Sequence, residues 1–218
     1  MESNIIWFAL KNDWLVLIPI AFCSIFLVAA AFDRFTYYKK NKRDVGGFIQ
    51  RVQRELQRGQ LETAEVVSNQ LGGVVGAVAV EGLRILEEQP ESFDRAFDIT
   101  TSLARRKLEE KLSIIGTIAT ISPYLGLFAT VVRILFTFGE MAQSQSANAA
   151  PEIMFGIGSA LIATAIGLFI AIAAVTLNNM FQATVSSFED DFQLIKLLYL
   201  SYVDSQTTPA AATAGVGR

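Results

Sequence analysis

The sequence predicts an all-α integral membrane protein with three transmembrane helices and long cytoplasmic helical extensions. Of its 218 residues, 52% are hydrophobic and only 18% are charged, a balance typical of a small membrane protein. Three apolar runs cover residues 14–32, 112–138 and 153–177. Each is long enough to cross a hydrocarbon core of roughly 30 Å, which takes about 20 helical residues. Arg133 is the only charged residue within these runs.

The first apolar run is predicted to stay in the membrane rather than to be removed as a signal peptide. Residues 29–31 resemble a cleavage site, but the preceding stretch carries Glu2 and Asp13 against a single Lys11. A signal peptide has a positively charged region at that point. The positive cluster instead follows the run, in residues 34–43, which indicates a span whose downstream side is cytoplasmic.

The placement of lysine and arginine predicts the orientation of the three spans. Segment 33–111 is basic beside the membrane at both ends, whereas loop 139–152 contains no lysine or arginine. The positive-inside rule therefore places segment 33–111 in the cytoplasm. Because each span moves the chain to the other side of the membrane, segment 178–206 is also cytoplasmic, while residues 1–13 and loop 139–152 face outward.

The cytoplasmic segment is predicted to be helical. Phe48, Val52 and Leu56 recur at the i, i+4 spacing of one helix face, and glycines then interrupt the helical pattern at two points. From Pro90 onward no glycine or further proline occurs before the second span. We therefore expect one long helix that continues into that span.

The C-terminal part of the chain is predicted to contain a helix and a disordered tail. We expect the third span to extend into the cytoplasm as a helix over residues 178–206. Residues 207–218 are small and polar, which is typical of a disordered terminus.

The residue types that the chain lacks exclude several classes of function. There is no histidine and only one cysteine, Cys23, so imidazole-based catalysis, a zinc site and an internal disulfide are excluded. A net charge of −3 does not favour nucleic acid as a partner. We expect no enzyme activity, no cofactor and no metal site.

Small residues follow one face of the third span. They recur every three or four positions, as packing faces of membrane helices do. Such a face needs a partner helix, which either another span of the same chain or a second copy of the chain would supply. The interface-packing candidates are Gly156, Ala160, Ala163 and Ala171, and the same face contains Gly167 and Ala174.

Hydroxyl side chains occur in both the second and the third span. Such side chains on neighbouring helices could line a narrow wet path through the membrane. The candidate channel-lining residues are Thr120, Thr130, Ser159 and Thr164. Neither span contains an aspartate or glutamate, so a protein that moves protons this way needs a carboxylate from another chain.

The second span contains two helix-shaping residues and one charge. Pro123 frees a backbone carbonyl and Gly126 permits close packing. We expect them, together with Gly167 of the third span, to shape the helices. Arg133 is either an anchor that reaches lipid headgroups at the outer interface or a charge partner for the carboxylate of another subunit.

The second and third spans resemble those of the MotA/TolQ/ExbB proton-channel family, and are most similar to the ExbB and TolQ branch. The family patterns are A-P-x-x-G-L-x-G-T-V in the second span and G-I-x-E-A-L-x-A-T-x-x-G-L-x-x-A-I-P in the third. The chain has "SPYLGLFATV" and "GIGSALIATAIGLFIAIA" at these places. The segments "AFDRF" and "GQLETAEVV" are also similar to the family.

Four positions depart from the family patterns. Ala129 stands where glycine is usual, and Arg133 where a small residue is usual. Ser159 stands where ExbB and TolQ often carry glutamate, and Ala174 where proline is usual.

The resemblance implies a proton-channel subunit of an energy-transducing motor in the bacterial inner membrane, with a periplasmic N-terminus and a cytoplasmic C-terminus. Family members form a ring, a pentamer in ExbB, around single-span partners of the ExbD/TolR type whose membrane aspartate carries the proton. Thr130 and Thr164 match the threonines that face the lumen. The work passes to a periplasmic protein such as TonB or TolA for outer-membrane transport.

Two alternatives to this interpretation remain. One is a ring-forming structural scaffold that conducts no protons, and the other is a stator for surface, gliding or flagellar motility. Both would share the small-residue faces, but the scaffold would not need the hydroxyls.

Overall fold

The structure, a computed structural model, describes residues 14–143 and 149–207. All regular elements in these ranges are helical, and three helical stretches are long and apolar enough to cross a membrane. The predicted outward N-terminus (1–13) and most of the predicted disordered tail (207–218) lie outside the described residues, as do residues 144–148 of the predicted loop.

Seven α-helices and one 3₁₀ turn occur in the described ranges. They are α1 (Trp14–Asn41), α2 (Val45–Gln57), α3 (Leu61–Leu71), α4 (Gly73–Glu88), the 3₁₀ turn Pro90–Ser92, α5 (Phe93–Glu109), α6 (Leu112–Gln143) and α7 (Ala149–Thr207). The helices α6 and α7 therefore extend beyond the apolar runs 112–138 and 153–177.

Two compact units divide the chain, and the first contains the apolar helices. It comprises Met1–Arg34 and Lys111–Phe181. Many of its large apolar side chains are more than half exposed, among them Phe32, Leu135 and Phe169. This outward apolar surface is what a bilayer requires, because lipid tails are as apolar as these side chains.

The second unit comprises Phe35–Glu110 and Gln182–Arg218 and has an aromatic core. The rings of Phe93 and Phe97 stack with their centroids 5.3 Å apart, and Tyr199 meets both edge-on. The Tyr199 hydroxyl donates a 2.9 Å hydrogen bond to the Ala79 carbonyl. Burial raises the pKa of Tyr199, so this donor stays protonated.

The helices of segment 33–111 form where the sequence pattern predicts them. Phe48, Val52 and Leu56 are all buried on one face of α2, as the i, i+4 spacing predicts. The predicted breaks also occur. Gly59 and Gly72 adopt φ values of 72° and 64°, a left-handed conformation that costs glycine little.

The expectation of one long helix from Pro90 into the second span is wrong. The helix α5 ends at Glu109 and α6 begins at Leu112, because Lys111 adopts a left-handed φ of 65°. This conformation is uncommon for a residue with a Cβ atom. Its Nζ atom lies 3.0 Å from Asp33 Oδ2, and this ion pair helps to hold the residue in place.

The close fit around Gly82 of α4 generates a stability prediction. A Cβ atom at Gly82 would lie 2.6 Å from Phe97 Cε2 and 2.7 Å from Tyr199 Cε2. We expect Gly82→Ala to lower the free energy of unfolding by about 1–3 kcal/mol, the usual cost of overpacking a core. Thermal unfolding of the detergent-purified protein measures this.

The matched control is Gly46→Ala in α2, where the nearest atom to an added Cβ is Asp44 Oδ1 at 3.6 Å. This change should leave the protein equally stable or stabilise it by up to about 1 kcal/mol, because alanine favours a helix over glycine. Equal melting temperatures for both variants would contradict the prediction.

Candidate functional site

The candidate site begins where the backbones of α6 and α7 approach each other. A Cβ atom added at Gly167 would lie 2.8 Å from the Ser122 carbonyl oxygen and 3.0 Å from the Gly126 Cα. A Cβ at Gly126 would lie 3.1 Å from the Thr164 Cα. No side chain separates the helices here, so both glycines are required for this approach.

Next to this contact, the hydroxyls of Thr130 and Thr164 hydrogen-bond to each other. The Thr164 hydroxyl also lies 2.9 Å from the Gly126 carbonyl oxygen. The Thr130 hydroxyl lies 3.2 Å from that same oxygen and 3.3 Å from the Ala160 carbonyl oxygen. Because each hydroxyl can both donate and accept, the pair can exchange these acceptors for water or for a group on another chain.

Arg133 lies on the same face of α6, about one turn beyond Thr130. Its side chain is only 5% exposed, and its Nε donates a 3.3 Å hydrogen bond to Ser159 Oγ. Ser159 in turn donates to the Gly156 carbonyl at 3.0 Å. Arg133 Nη1 lies 3.7 Å from Glu140 Oε1. The guanidinium is therefore packed between two helices, with a carboxylate nearby.

The row of polar residues on α6 that begins with Thr130 and Arg133 continues one turn further with Thr137. Its hydroxyl donates a 2.9 Å hydrogen bond to the Arg133 carbonyl. Its side chain fills the space that a Cβ atom on Gly156 would need. Gly156 thus makes room for Thr137, just as Gly126 and Gly167 make room for each other.

Thr120 does not join the hydroxyl pair within one chain. It is exposed and donates to the Gly116 carbonyl of its own helix at 3.0 Å. Pro123 lies within α6, half-buried, between Thr120 and Gly126. Because Thr120 is exposed in the single chain, its assignment as a channel-lining residue stays a prediction.

The small residues of the third span are covered by the chain itself. Ala160, Ala163 and Ala171 are 1%, 5% and 6% exposed. Ala163 packs beside Ala129 of α6, with Leu17 of α1 against them. Because these positions are already buried in a single chain, contacts between copies need other residues.

Two buried hydroxyls were not among the predicted site residues. Thr137 is one, and Ser122 is the other; the Ser122 Oγ atom has no hydrogen-bond partner within the described parts of the chain. The signal was present in the sequence. Small and polar residues recur along α6 at spacings of three and four, at Ser122, Gly126, Thr130, Arg133 and Thr137.

Within the ranges that the structure describes, no group of three or more His, Cys, Asp or Glu side chains could hold a metal ion. The groups available between α6 and α7 are therefore hydroxyls, backbone carbonyls and one guanidinium, with the Glu140 carboxylate beside the guanidinium.

Comparison with known proteins identifies relatives of this chain. The model of the MotA/TolQ/ExbB proton channel family matches residues 63–194. The Tol-Pal system protein TolQ of Pseudomonas aeruginosa is 42% identical over 112 residues, 48% of each chain. TolQ of Haemophilus influenzae is 33% identical over 66% of this chain and 65% of its own length. The biopolymer transport protein ExbB of Salmonella typhimurium is 33% identical over 62% of this chain and 63% of its own.

The chain thus spans between about half and two thirds of the length of these relatives. The matched region contains all of α6 and most of α7, where the hydroxyl pair and Arg133 lie.

The family match covers more than half of the chain and confirms the resemblance seen in the sequence. It also confirms that the chain is not an enzyme, because the family is one of membrane channels. With three apolar helices and these bacterial relatives, the chain is a multi-pass protein of the bacterial inner membrane. It belongs to the MotA/TolQ/ExbB proton channel family.

Proposed function

We propose that this chain is the proton-channel subunit of an ExbB/TolQ-like energy-transducing motor. The motor couples the proton motive force to a TonB/TolA-type periplasmic protein for outer-membrane transport. The observation that best supports the proposal is the hydroxyl pair Thr130–Thr164, which lies between two apolar helices held in close contact by glycines.

The proposed proton path runs beside this pair. A hydroxyl can both donate and accept a hydrogen bond, but it does not gain or lose a proton near neutral pH. The second and third apolar runs contain no aspartate or glutamate. The proton carrier is therefore the membrane aspartate of a single-span ExbD/TolR-like partner, which Thr130 and Thr164 orient.

The proposed assembly is a homo-pentameric ring around this partner. The N-terminus is periplasmic and the C-terminus cytoplasmic, as the basic segments beside the membrane indicate. Thr120 and Ser159 extend the polar lining on either side of Thr130 and Thr164. Many side chains of the apolar helices are exposed in the single chain, which leaves surface for both lipid and neighbouring copies.

Arg133 is proposed to act within the helix bundle as a fixed positive charge. Its burial and its hydrogen bond to Ser159 support this role over that of a lipid anchor. An arginine near a carboxylate lowers the pKa of that carboxylate. Arg133 thus favours release of the proton from the partner's aspartate.

The scaffold and motility alternatives have less support. A scaffold does not need two hydroxyls bonded across a helix contact, whereas a proton path does. The relatives are named as Tol-Pal system and biopolymer transport proteins, which favours a transport process over motility.

The hydroxyl pair gives the first test of the proposed function. We expect Thr130→Val and Thr164→Val each to lower proton flux about tenfold, since losing about 1.4 kcal/mol of hydrogen bonding at a barrier slows a rate tenfold. Flux is measured in vesicles containing the chain and its single-span partner. Thr176→Val is the control, because Thr176 is exposed and, among the described residues, bonds only to the Ile172 carbonyl of its own helix. Full flux in both hydroxyl variants would contradict the role of the pair in the proton path, whereas an absence of flux in the unaltered protein with its partner would favour the scaffold.

Removing the charge at Arg133 tests its proposed role. With Arg133→Gln, the partner's carboxylate loses a nearby cation, so its pKa rises. The pH of half-maximal flux should then move upward by about one unit or more. An unchanged pH profile together with weaker retention of anionic lipid would instead identify a lipid anchor.

The glycine contact gives a structural test. In Gly167→Ala the added methyl would meet the Ser122 carbonyl and the Gly126 backbone, which cannot move away without separating the helices. We expect the melting temperature and the flux to fall, with a destabilisation of about 1–3 kcal/mol. Gly158→Ala, on the same helix with nothing within 4 Å of the added atom, should change neither. Equal behaviour of the two variants would disprove the close contact.

A further inference from the structure

An exposed stripe on α5 combines two apolar side chains with two cations. Ile99 and Leu103 are 63% and 54% exposed, and Arg95 and Arg106 are exposed as well. Their spacing of four, four and three residues places all four on one helix face. Neither arginine forms an ion pair with another described residue of the chain. We call these four residues the basic stripe.

A second exposed stripe lies on α7 and carries the opposite charge. Leu194 and Leu197 are 50% and 62% exposed, and Asp190 lies on the same face at the i, i+4 and i, i+7 spacings. Asp190 also has no ion pair among the residues that the structure describes. We call these three residues the acidic stripe.

The two stripes point away from each other within one chain. The helices α5 and α7 contact through their opposite faces, where Phe93 and Phe97 meet Tyr199. Each stripe lies roughly across its helix from this contact. A single chain therefore cannot bring the two stripes together, although their chemistry is complementary.

The stripes nevertheless lie at the same level along the unit. Two ion pairs fix the antiparallel register of α5 and α7: Arg105 Nε lies 2.7 Å from Glu189 Oε1, and Lys196 Nζ lies 2.7 Å from Asp98 Oδ1. In this register Arg106 is within about two residues, or roughly 3 Å, of the level of Asp190.

The apolar residues follow the same register, because Leu103 and Ile99 flank the level of Leu194. A rotation about an axis parallel to the helices keeps residues at their level. Copies arranged around such an axis would therefore place Leu194 between Ile99 and Leu103 and bring Arg106 close to Asp190.

We propose that the basic stripe of one copy of this chain binds the acidic stripe of the next copy. Charge complementarity identifies the occupant: a symmetric contact would place Arg106 against another basic stripe, whereas a head-to-tail contact pairs it with Asp190. Head-to-tail contacts close into rings when the rotation permits. This inference rests on the proposed assembly of copies into a ring and assigns the contact to these side chains.

Cysteine cross-linking in native membranes tests the contact. Cys23 is the only cysteine, so Cys23→Ser provides a cysteine-free background. In that background, Leu103→Cys with Leu194→Cys in the same chain should form disulfides under mild oxidation and give a ladder of covalent oligomers. Either cysteine alone should remain monomeric, because the two faces differ. The control pair is Gln50→Cys with Leu194→Cys, where Gln50 is exposed on α2.

A ladder from the control pair as strong as that from the stripe pair would indicate random collision and overturn the proposal. Dimers from Leu194→Cys alone would indicate a symmetric contact and would also overturn it. The native mass of the same preparation distinguishes a failure of the stripe contact from a failure of the proposed ring assembly. A ring of copies without the ladder means that the contact is wrong, whereas a monomer means that the proposed ring assembly fails as well.

Charge reversal provides a second measurement. Arg106→Glu and Asp190→Arg should each weaken assembly, and the double variant should restore it. We expect the single variants to raise the concentration at which the assembly dissociates by roughly two- to fivefold, the effect of one exposed ion pair. A double variant that is as weak as the two changes combined would contradict the pairing.

Discussion

The near contact between the backbones of α6 and α7 at Gly126 and Gly167 is the constraint on which the candidate site depends. A side chain at either position would meet the backbone of the opposite helix and would push apart the two helices that carry the Thr130 and Thr164 hydroxyls. Lipid supplies little hydrophobic drive between helices, so this close packing is also what holds the helices together. The same glycines therefore provide both the stability of the helix pair and the placement of its polar groups.

Several polar side chains of α6 and α7 are buried in this helix pair. Arg133 and Ser159 are both at most 5% exposed and bond to each other. A charge in this setting is costly unless other polar groups surround it. Ser159 offers the buried guanidinium of Arg133 a hydrogen-bond acceptor, so a change at either position alters the surroundings of the other.

The sequence predicts the three spans, the face formed by Phe48, Val52 and Leu56, and the presence of hydroxyls in the second and third spans, because these follow from hydropathy and helical periodicity. It does not single out the buried Ser122 and Thr137. It does not predict the break at Lys111, since neither glycine nor proline marks it and its ion pair with Asp33 depends on a residue distant in the sequence. It also does not predict the burial of Arg133, which depends on how α7 packs. Periodicity defines helix faces but not the helices that cover them.

The unpaired Ser122 hydroxyl has a thermodynamic consequence for the isolated chain. A buried donor without a partner costs about 1–3 kcal/mol relative to an apolar residue of similar shape, and this oxygen has no partner within the described residues. An alanine at this position would suit the single chain better. Any water molecule or incoming polar group that reaches the Ser122 oxygen would recover that free energy, so the packed helices favour hydration at this one point.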